Sequence, residues 1–143
     1  MKLLLFAAAA LTLSAADLGE IKAVYVLPMS NGLDQYLAMK LTSDHVVQVV
    51  TDPKKADAVL TDKIGRSFEE RLDELFGARE KAEDSAPRMQ PVTSGHGAIF
   101  LVDRKSRDVI WSTFERPKSA MPDDLNRTAD KIAKRLEKDR KPK

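Results

Sequence analysis

Short runs of β-branched and aromatic residues alternate along this chain with stretches whose apolar residues recur at helical spacing. The runs cover residues 21–27, 45–50, 56–64, 98–102 and 109–114, and turn-forming residues separate them, as is typical of strands. Helical spacing occurs over residues 33–42, over 67–76 and from 122 onward, with residues 138–143 expected to fray. The order β-α-β-β-α-(loop)-β-β-α predicts an α/β (α+β) fold, with a single mixed sheet of about five strands and helices packed mainly on one face.

An apolar leader precedes the first predicted strand. Lys2, an apolar run over residues 3–13 and small residues at 14–16 follow the order of a secretory signal peptide. A spanning helix needs roughly 20 apolar residues, and Asp17 and Glu20 prevent extension of this shorter run. A retained membrane anchor is the alternative. We expect cleavage near Ala16, a periplasmic or secreted location, and a single mature domain over residues 17–143 without a transmembrane segment.

The absence of cysteine excludes a lipoprotein that is acylated on cysteine and a fold that is held by disulfides. Without cysteine, the chain cannot carry a lipid on that residue or form disulfides, although an oxidising compartment would permit them. The stability of the fold must therefore come from packing. Residues 127–143 include eight basic and three acidic residues, but aromatic residues do not alternate with these charges as base stacking requires. We therefore expect no nucleic-acid partner.

Two charged helices are the candidate partner-binding surfaces. The sequence does not indicate the oligomeric state of the protein. The acidic candidates lie on the second predicted helix and the basic candidates on the last helix. A solvated helix face is the alternative interpretation of such charges. Residues 78–94 carry charges and two prolines with little to bury, which predicts a mobile insertion. The candidate residues are Glu69, Glu70, Asp73, Glu74, Lys131, Lys134 and Arg135.

The sequence contains no recognised motif for catalysis or for the binding of a metal or cofactor. His45 and His96 lack the spacing of a zinc site, and the chain has no G-x-S-x-G sequence. The glycines around His96 do not form a phosphate loop, because no helix is expected after them. We therefore predict a non-enzymatic protein without catalytic, cofactor-binding or metal-binding residues. The alternative is a small-ligand binder or hydrolase that uses residues 94–97, with His96 inside a concave pocket.

Three short segments together resemble a family of bacterial envelope proteins. The segments are the first strand with its Pro28, residues 55–61 with the sequence KADAVLT, and residues 102–112 with the sequence VDRKSRDVIWS. They are similar to motifs of a group that includes the amino-terminal domain of the translocation protein TolB and the curli-secretion lipoprotein CsgG. This TolB-like or CsgG-like resemblance implies a periplasmic assembly or binding role, with an envelope protein as partner and no catalytic residues to transfer.

The chain departs from this family at two points. Related proteins are often lipoproteins, whereas this sequence has no cysteine to acylate. Where the family hairpin usually carries glycine, this chain has Arg107. If the turn keeps a left-handed conformation, strain at Arg107 costs roughly 1 kcal/mol.

Overall fold

A computed structural model describes residues 17–77 and 97–141 of the 143-residue chain. Short 3₁₀ turns accompany the main elements, and the order of helices and strands agrees with the order that the sequence predicts. The main elements are β1 (Ala23–Val26), α1 (Leu33–Ser43), β2 (Gln48–Val49), β3 (Ala58–Thr61), α2 (Arg66–Phe76), β4 (Ala98–Asp103), β5 (Val109–Phe114) and α3 (Pro122–Arg140).

The five strands form one mixed sheet in the order β2-β1-β3-β4-β5. Strand β1 pairs in parallel with β2 and with β3. Strand β4 is antiparallel to both of its neighbours, β3 and β5. A register shift between Leu101 and Val102 marks a bulge in the β4–β5 ladder. The predicted mixed sheet is therefore confirmed.

Helices α1 and α3 pack together on one face of the sheet, which we call the first face. Leu37, Leu41, Ile132 and Leu136 are fully buried there, and alternate strand residues such as Leu101 contact them in the same cluster. Burial of each such side chain contributes about 1.5–3 kcal/mol. The apolar stripes of α1 and α3 therefore supply most of the core.

Helix α2 packs on the opposite, second face. Its buried Leu72 joins Val59 of β3 and Leu27 in a separate, smaller cluster. Val59 lies between Ala58 and Leu60, both of which belong to the first-face cluster, because successive strand residues point to opposite faces. The prediction of helices mainly on one face is confirmed, with two of the three α-helices on the first face.

The observed helix and strand ends correct two details of the sequence analysis. Helix α2 begins at Arg66, one residue before the predicted start, and its N-cap, Gly65, makes no side-chain capping bond. The predicted strand over residues 45–50 shortens to Gln48–Val49. His45 has a φ of 53°, and the amides of His45 and Val46 donate to the carbonyls of Thr42 and Leu41. This is the Schellman pattern of a helix end, which withdraws those residues from the sheet.

The helix α3 also extends further than its terminal position predicts. The helix continues to Arg140, so the expected fraying from Lys138 is wrong for its last turn. The guanidinium of Arg140 donates to the carbonyl of Ile21 at 2.6 Å and to the carbonyl of Val46. These two bonds tie the end of α3 to the segments that precede β1 and β2.

Candidate binding surfaces

The acidic residues of α2 are engaged in contacts within the domain. Glu70 pairs with Arg66 at 3.3 Å, and Glu74 pairs with Arg71 at 2.8 Å. The Asp73 carboxylate lies 2.6 Å from a guanidinium nitrogen of Arg107, in the turn between β4 and β5. These carboxylates offer little uncompensated charge to a partner.

Arg107 lies in the turn between β4 and β5. Its φ of 60° confirms the left-handed conformation, which costs a non-glycine residue about 1 kcal/mol. Two contacts offset this strain, because the mostly buried guanidinium of Arg107 contacts Asp73 and donates to the carbonyl of Gly77 at 3.0 Å. Gly77 itself ends α2 with a φ of 87°. The hairpin turn thereby holds the carboxyl end of α2.

A second arginine of the same turn reinforces this attachment. The guanidinium of Arg104 lies over the ring of Phe76, 4.7 Å from its centroid, in a cation–π arrangement. Its backbone amide donates to the carbonyl of Asp57 at 3.0 Å. The turn therefore connects the last residues of α2 to the segment that leads into β3.

The basic residues of α3 lie on its solvent-facing side. Lys134 pairs with Asp130 at 2.8 Å, and this hydrogen-bonded partner raises the pKa of Lys134. Arg135 pairs with Asp139 at 3.3 Å. Lys131 is exposed and makes no ion pair within residues 17–77 and 97–141. Of the three predicted basic candidates, Lys131 is thus the one without a compensating acid.

Two further cations that the sequence analysis did not name extend this surface. Arg127 and Lys138 are exposed and stand four residues before and seven residues after Lys131, a spacing that keeps all three on one side of a helix. The i, i+4, i+11 recurrence from Arg127 is the signal that could have identified them. We call Arg127, Lys131, Lys134 and Lys138 the basic stripe.

The acidic and basic candidates are not brought together by the fold. Helix α2 packs on the second face and α3 on the first, so the sheet separates the two sets of side chains. They cannot form one composite site. Any partner that uses both surfaces must reach around the domain.

A cavity of about 260 Å³ opens where β1, β3 and β5 end. Its walls include Ser30, Asp62, Lys63, Gly97 and Arg116. One Asp62 oxygen accepts the Ser30 amide at 2.9 Å, whereas Lys63 and Arg116 have no ion-pair partner in the described part of the chain. The carboxyl ends of parallel strands are frequent ligand sites in α/β sheets, and the excess of positive charge here suits an anion.

The segment proposed for a small-ligand site adjoins this cavity at one residue. Gly97 lines it, but residues 94–96, including His96, lie outside the described residues, as does the predicted insertion at 78–94. The position of His96 in a pocket therefore stays a prediction. Within the described ranges, acidic and histidine side chains form no group that could hold a metal ion.

Polar residues in the family-like segments have structural roles. The Asp57 carboxylate accepts the amides of Lys22 and Ala23, each at 3.0 Å, and so fixes the start of β1 beside β3. The indole nitrogen of Trp111 donates to Asp139 at 2.9 Å. This bond, together with Arg135, holds the pKa of Asp139 below its usual value despite the opposing effect of burial.

The sequence matches no protein-family model, and it shows no significant similarity to a curated protein or a solved structure. Among the described residues, no helix has the length and apolar character required to cross a bilayer.

Proposed function

We propose that this chain is an exported, non-enzymatic domain of the bacterial cell envelope that binds a protein partner with an acidic surface. The leader and the TolB-like or CsgG-like segments support the location and the class of role. One observation carries the mode of binding: the basic stripe of α3 faces solvent, and three of its four cations, Arg127, Lys131 and Lys138, make no ion pair among residues 17–77 and 97–141, although Lys138 contributes to the lowered pKa of Asp139.

The buried residues that hold α3 on the sheet and the exposed residues of the basic stripe lie on different sides of the helix. Ile132, Ala133 and Leu136 are fully buried on the first face, which fixes the rotation of the helix and turns the stripe outward. From Arg127 to Lys138 the stripe extends about 16 Å at the usual helical rise. A rigid row of cations of this length can match a row of carboxylates on a partner helix or strand.

Such an interface would depend on ionic strength. Exposed charges mainly raise association rates and select partners, and salt weakens them because the Debye length is about 8 Å at physiological ionic strength. Loss of binding on addition of salt is therefore expected, together with loss on removal of the stripe charges.

Site-specific photocrosslinking in native cells tests this proposal. A photoreactive residue at Lys131 should yield a defined protein adduct, whereas one at exposed Lys54 should not. A triple variant (Arg127→Gln, Lys131→Gln, Lys138→Gln), with the photoreactive residue placed at Arg135, should lose the adduct. The matched control replaces three exposed lysines away from α3, Lys54, Lys55 and Lys105, with glutamine and should retain it.

The outcome also distinguishes the two charged helices. An adduct from Glu70 on α2, unaffected by the triple variant, would assign recognition to the acidic helix and contradict the basic stripe. No adduct from either helix would count against a protein partner altogether. Export is tested separately, since mass spectrometry of the protein from envelope fractions should find Asp17 at the mature amino terminus.

The cavity favours a second candidate, the binding of a small anionic ligand. This candidate rests on Lys63 and Arg116, which lie at the carboxyl ends of strands and have no ion-pair partner among the residues that the structure describes. Titration of the isotopically labelled protein with phosphate or citrate should shift the amide resonances of Ser30 and Gly97. The variant Lys63→Gln/Arg116→Gln should abolish these shifts while Lys105→Gln keeps them. Unchanged resonances at high ligand concentration would eliminate this candidate.

A further inference from the structure

Strand β5 forms one edge of the sheet without the usual protection of edge strands. It pairs with β4, and no described strand lies beyond it. Its six residues, Val109–Phe114, include neither a charge nor a proline. Natural proteins usually interrupt such an edge with charges or prolines, or keep it short. The opposite edge, β2, has only two residues, so β5 is the edge that is able to accept another strand.

The register of β5 identifies the backbone groups that face outward. The Glu115 amide donates to the Gly97 carbonyl of the neighbouring segment at 2.8 Å. Because antiparallel pairs alternate between bonded and non-bonded residues, the amides of Ser112 and Phe114 point away from β4. The Phe114 side chain is 65% exposed and that of Val109 is 45% exposed. The outer edge thus combines available hydrogen-bonding groups with uncovered apolar side chains.

Exposed side chains of opposite charge flank β5. Asp108 precedes the strand, and Arg116 follows it, separated from Phe114 by half-buried Glu115. Both side chains are exposed, and neither makes an ion pair in the described portion of the molecule. An antiparallel copy of the same strand would bring each acid to the end where the other copy carries its arginine. A parallel copy would place like charges together.

We propose that two copies of this chain associate through antiparallel pairing of their β5 strands, centred near Ser112. The outward amide and carbonyl of each Ser112 would bond to the other copy, and two Asp108–Arg116 pairs would close the ends. The two sheets then form one continuous ten-stranded sheet. This isologous arrangement is the usual form of a homodimer interface, since the same patch serves both subunits. It leaves the basic stripe of α3 available, so it is independent of partner binding by the stripe, but it competes with the candidate anion site for Arg116.

Sedimentation equilibrium of the purified mature protein tests the pairing. The wild-type chain should show a reversible monomer–dimer equilibrium in the micromolar range. Ser112→Pro removes an outward amide that is not part of the β4 ladder, a position where an edge strand tolerates proline. It should be monomeric, with a wild-type circular dichroism spectrum. Ser112→Thr keeps the amide and should dimerise as the wild type does.

A charge-swap series tests the orientation of the strands. Asp108→Arg and Arg116→Asp should each weaken self-association roughly 10-fold, because two attractive end pairs become repulsive. The double variant Asp108→Arg/Arg116→Asp restores opposite charges and should recover dimerisation. A mixture of the two single variants should form a heterodimer, since each chain then complements the other.

Three results would overturn the proposal. A wild-type chain that stays monomeric at high micromolar concentration excludes the dimer. A dimer that persists in folded Ser112→Pro must use another surface. Failure of the double charge variant to recover association, while Ser112→Pro still abolishes it, would exclude the antiparallel orientation.

Discussion

Gly97 provides a sharp test of the packing at the carboxyl ends of the strands. Its φ is +105°, and a Cβ added there would lie 2.9 Å from the Cα of Arg116 and 3.0 Å from its backbone nitrogen. Both atoms belong to the backbone, so a side-chain rotation cannot relieve the contact. Gly97→Ala must therefore displace the segment after β5, which the Glu115–Gly97 hydrogen bond holds in place.

The expected cost has two separable parts. The positive φ costs an alanine about 1–3 kcal/mol, less about 0.4–1 kcal/mol gained because alanine restricts the unfolded chain. The forced contact adds about 1–3 kcal/mol, as overpacking does elsewhere. Gly65→Ala is the matched control, because Gly65 has a φ of +123° with no atom within 4 Å of the added Cβ. Gly97→Ala should thus lose about 1–3 kcal/mol more than Gly65→Ala.

Urea denaturation followed by the fluorescence of Trp111, the only tryptophan, provides the measurement. A midpoint shift with an unchanged slope reports the loss of stability directly. Gly19→Ala serves as a second control, because its φ lies outside the left-handed region and its nearest atom, the Arg140 carbonyl oxygen, would be 3.8 Å away. If Gly97→Ala destabilises the protein no more than Gly65→Ala, the close approach to Arg116 does not exist in solution.

Substitutions at three further positions, Leu136, Arg107 and Asp139, test the core, the hairpin turn and the α3–sheet contact by the same assay. Leu136→Ala should cost about 2–5 kcal/mol because the side chain is fully buried, whereas exposed Lys131→Ala should change stability by less than about 0.5 kcal/mol. Arg107→Gly should be less destabilising than Arg107→Ala by about 1 kcal/mol, since both lose the bonds to α2 but only alanine retains the strain; equal losses would contradict the left-handed turn. The folded-state pKa of Asp139 lies below its usual 3.8, so its ionised form stabilises the fold above pH 3.8 and that contribution disappears as the pH falls through the folded pKa. The advantage of the wild type over Asp139→Asn should therefore narrow in strong acid, and a constant difference from neutral pH to pH 2 would refute the assignment.

The sequence predicts helices and strands correctly where the pattern of apolar residues lies within a single element. Leu33, Leu37 and Leu41 recur at helical spacing, and all three are buried in α1. The apolar run that became β4 is the central part of the antiparallel half of the sheet. Such patterns identify an element because each residue's face follows from its own position along the chain. They do not identify which face of the sheet a helix occupies, and α2 was assigned to the second face only by the structure.

The errors occurred where distant segments determine the outcome. The terminal position predicted that α3 frays from Lys138, but Arg140 donates to the carbonyls of Ile21 and Val46. The sequence placed His45 in a strand, whereas the hydrogen bonds of the preceding helix end hold it in a left-handed conformation. The charge of α2 made Asp73 a candidate for partner binding, although Arg107, 34 residues away in the sequence, contacts it within the domain. These contacts depend on tertiary proximity, which a single sequence does not reveal.

Arg107 shows why an apparently unfavourable residue can be retained in this fold. Helix α2 contributes a single fully buried side chain, Leu72, whereas six residues of α3 are buried. Hydrophobic burial therefore attaches α2 much less firmly than α3, and local opening begins where few apolar contacts exist. Strain of about 1 kcal/mol at Arg107 is offset by charge-assisted bonds to the last turn of α2, each typically worth about 1.5–3 kcal/mol. A glycine at this position would relax the turn and release the helix, so the arginine compensates for the small core on the second face.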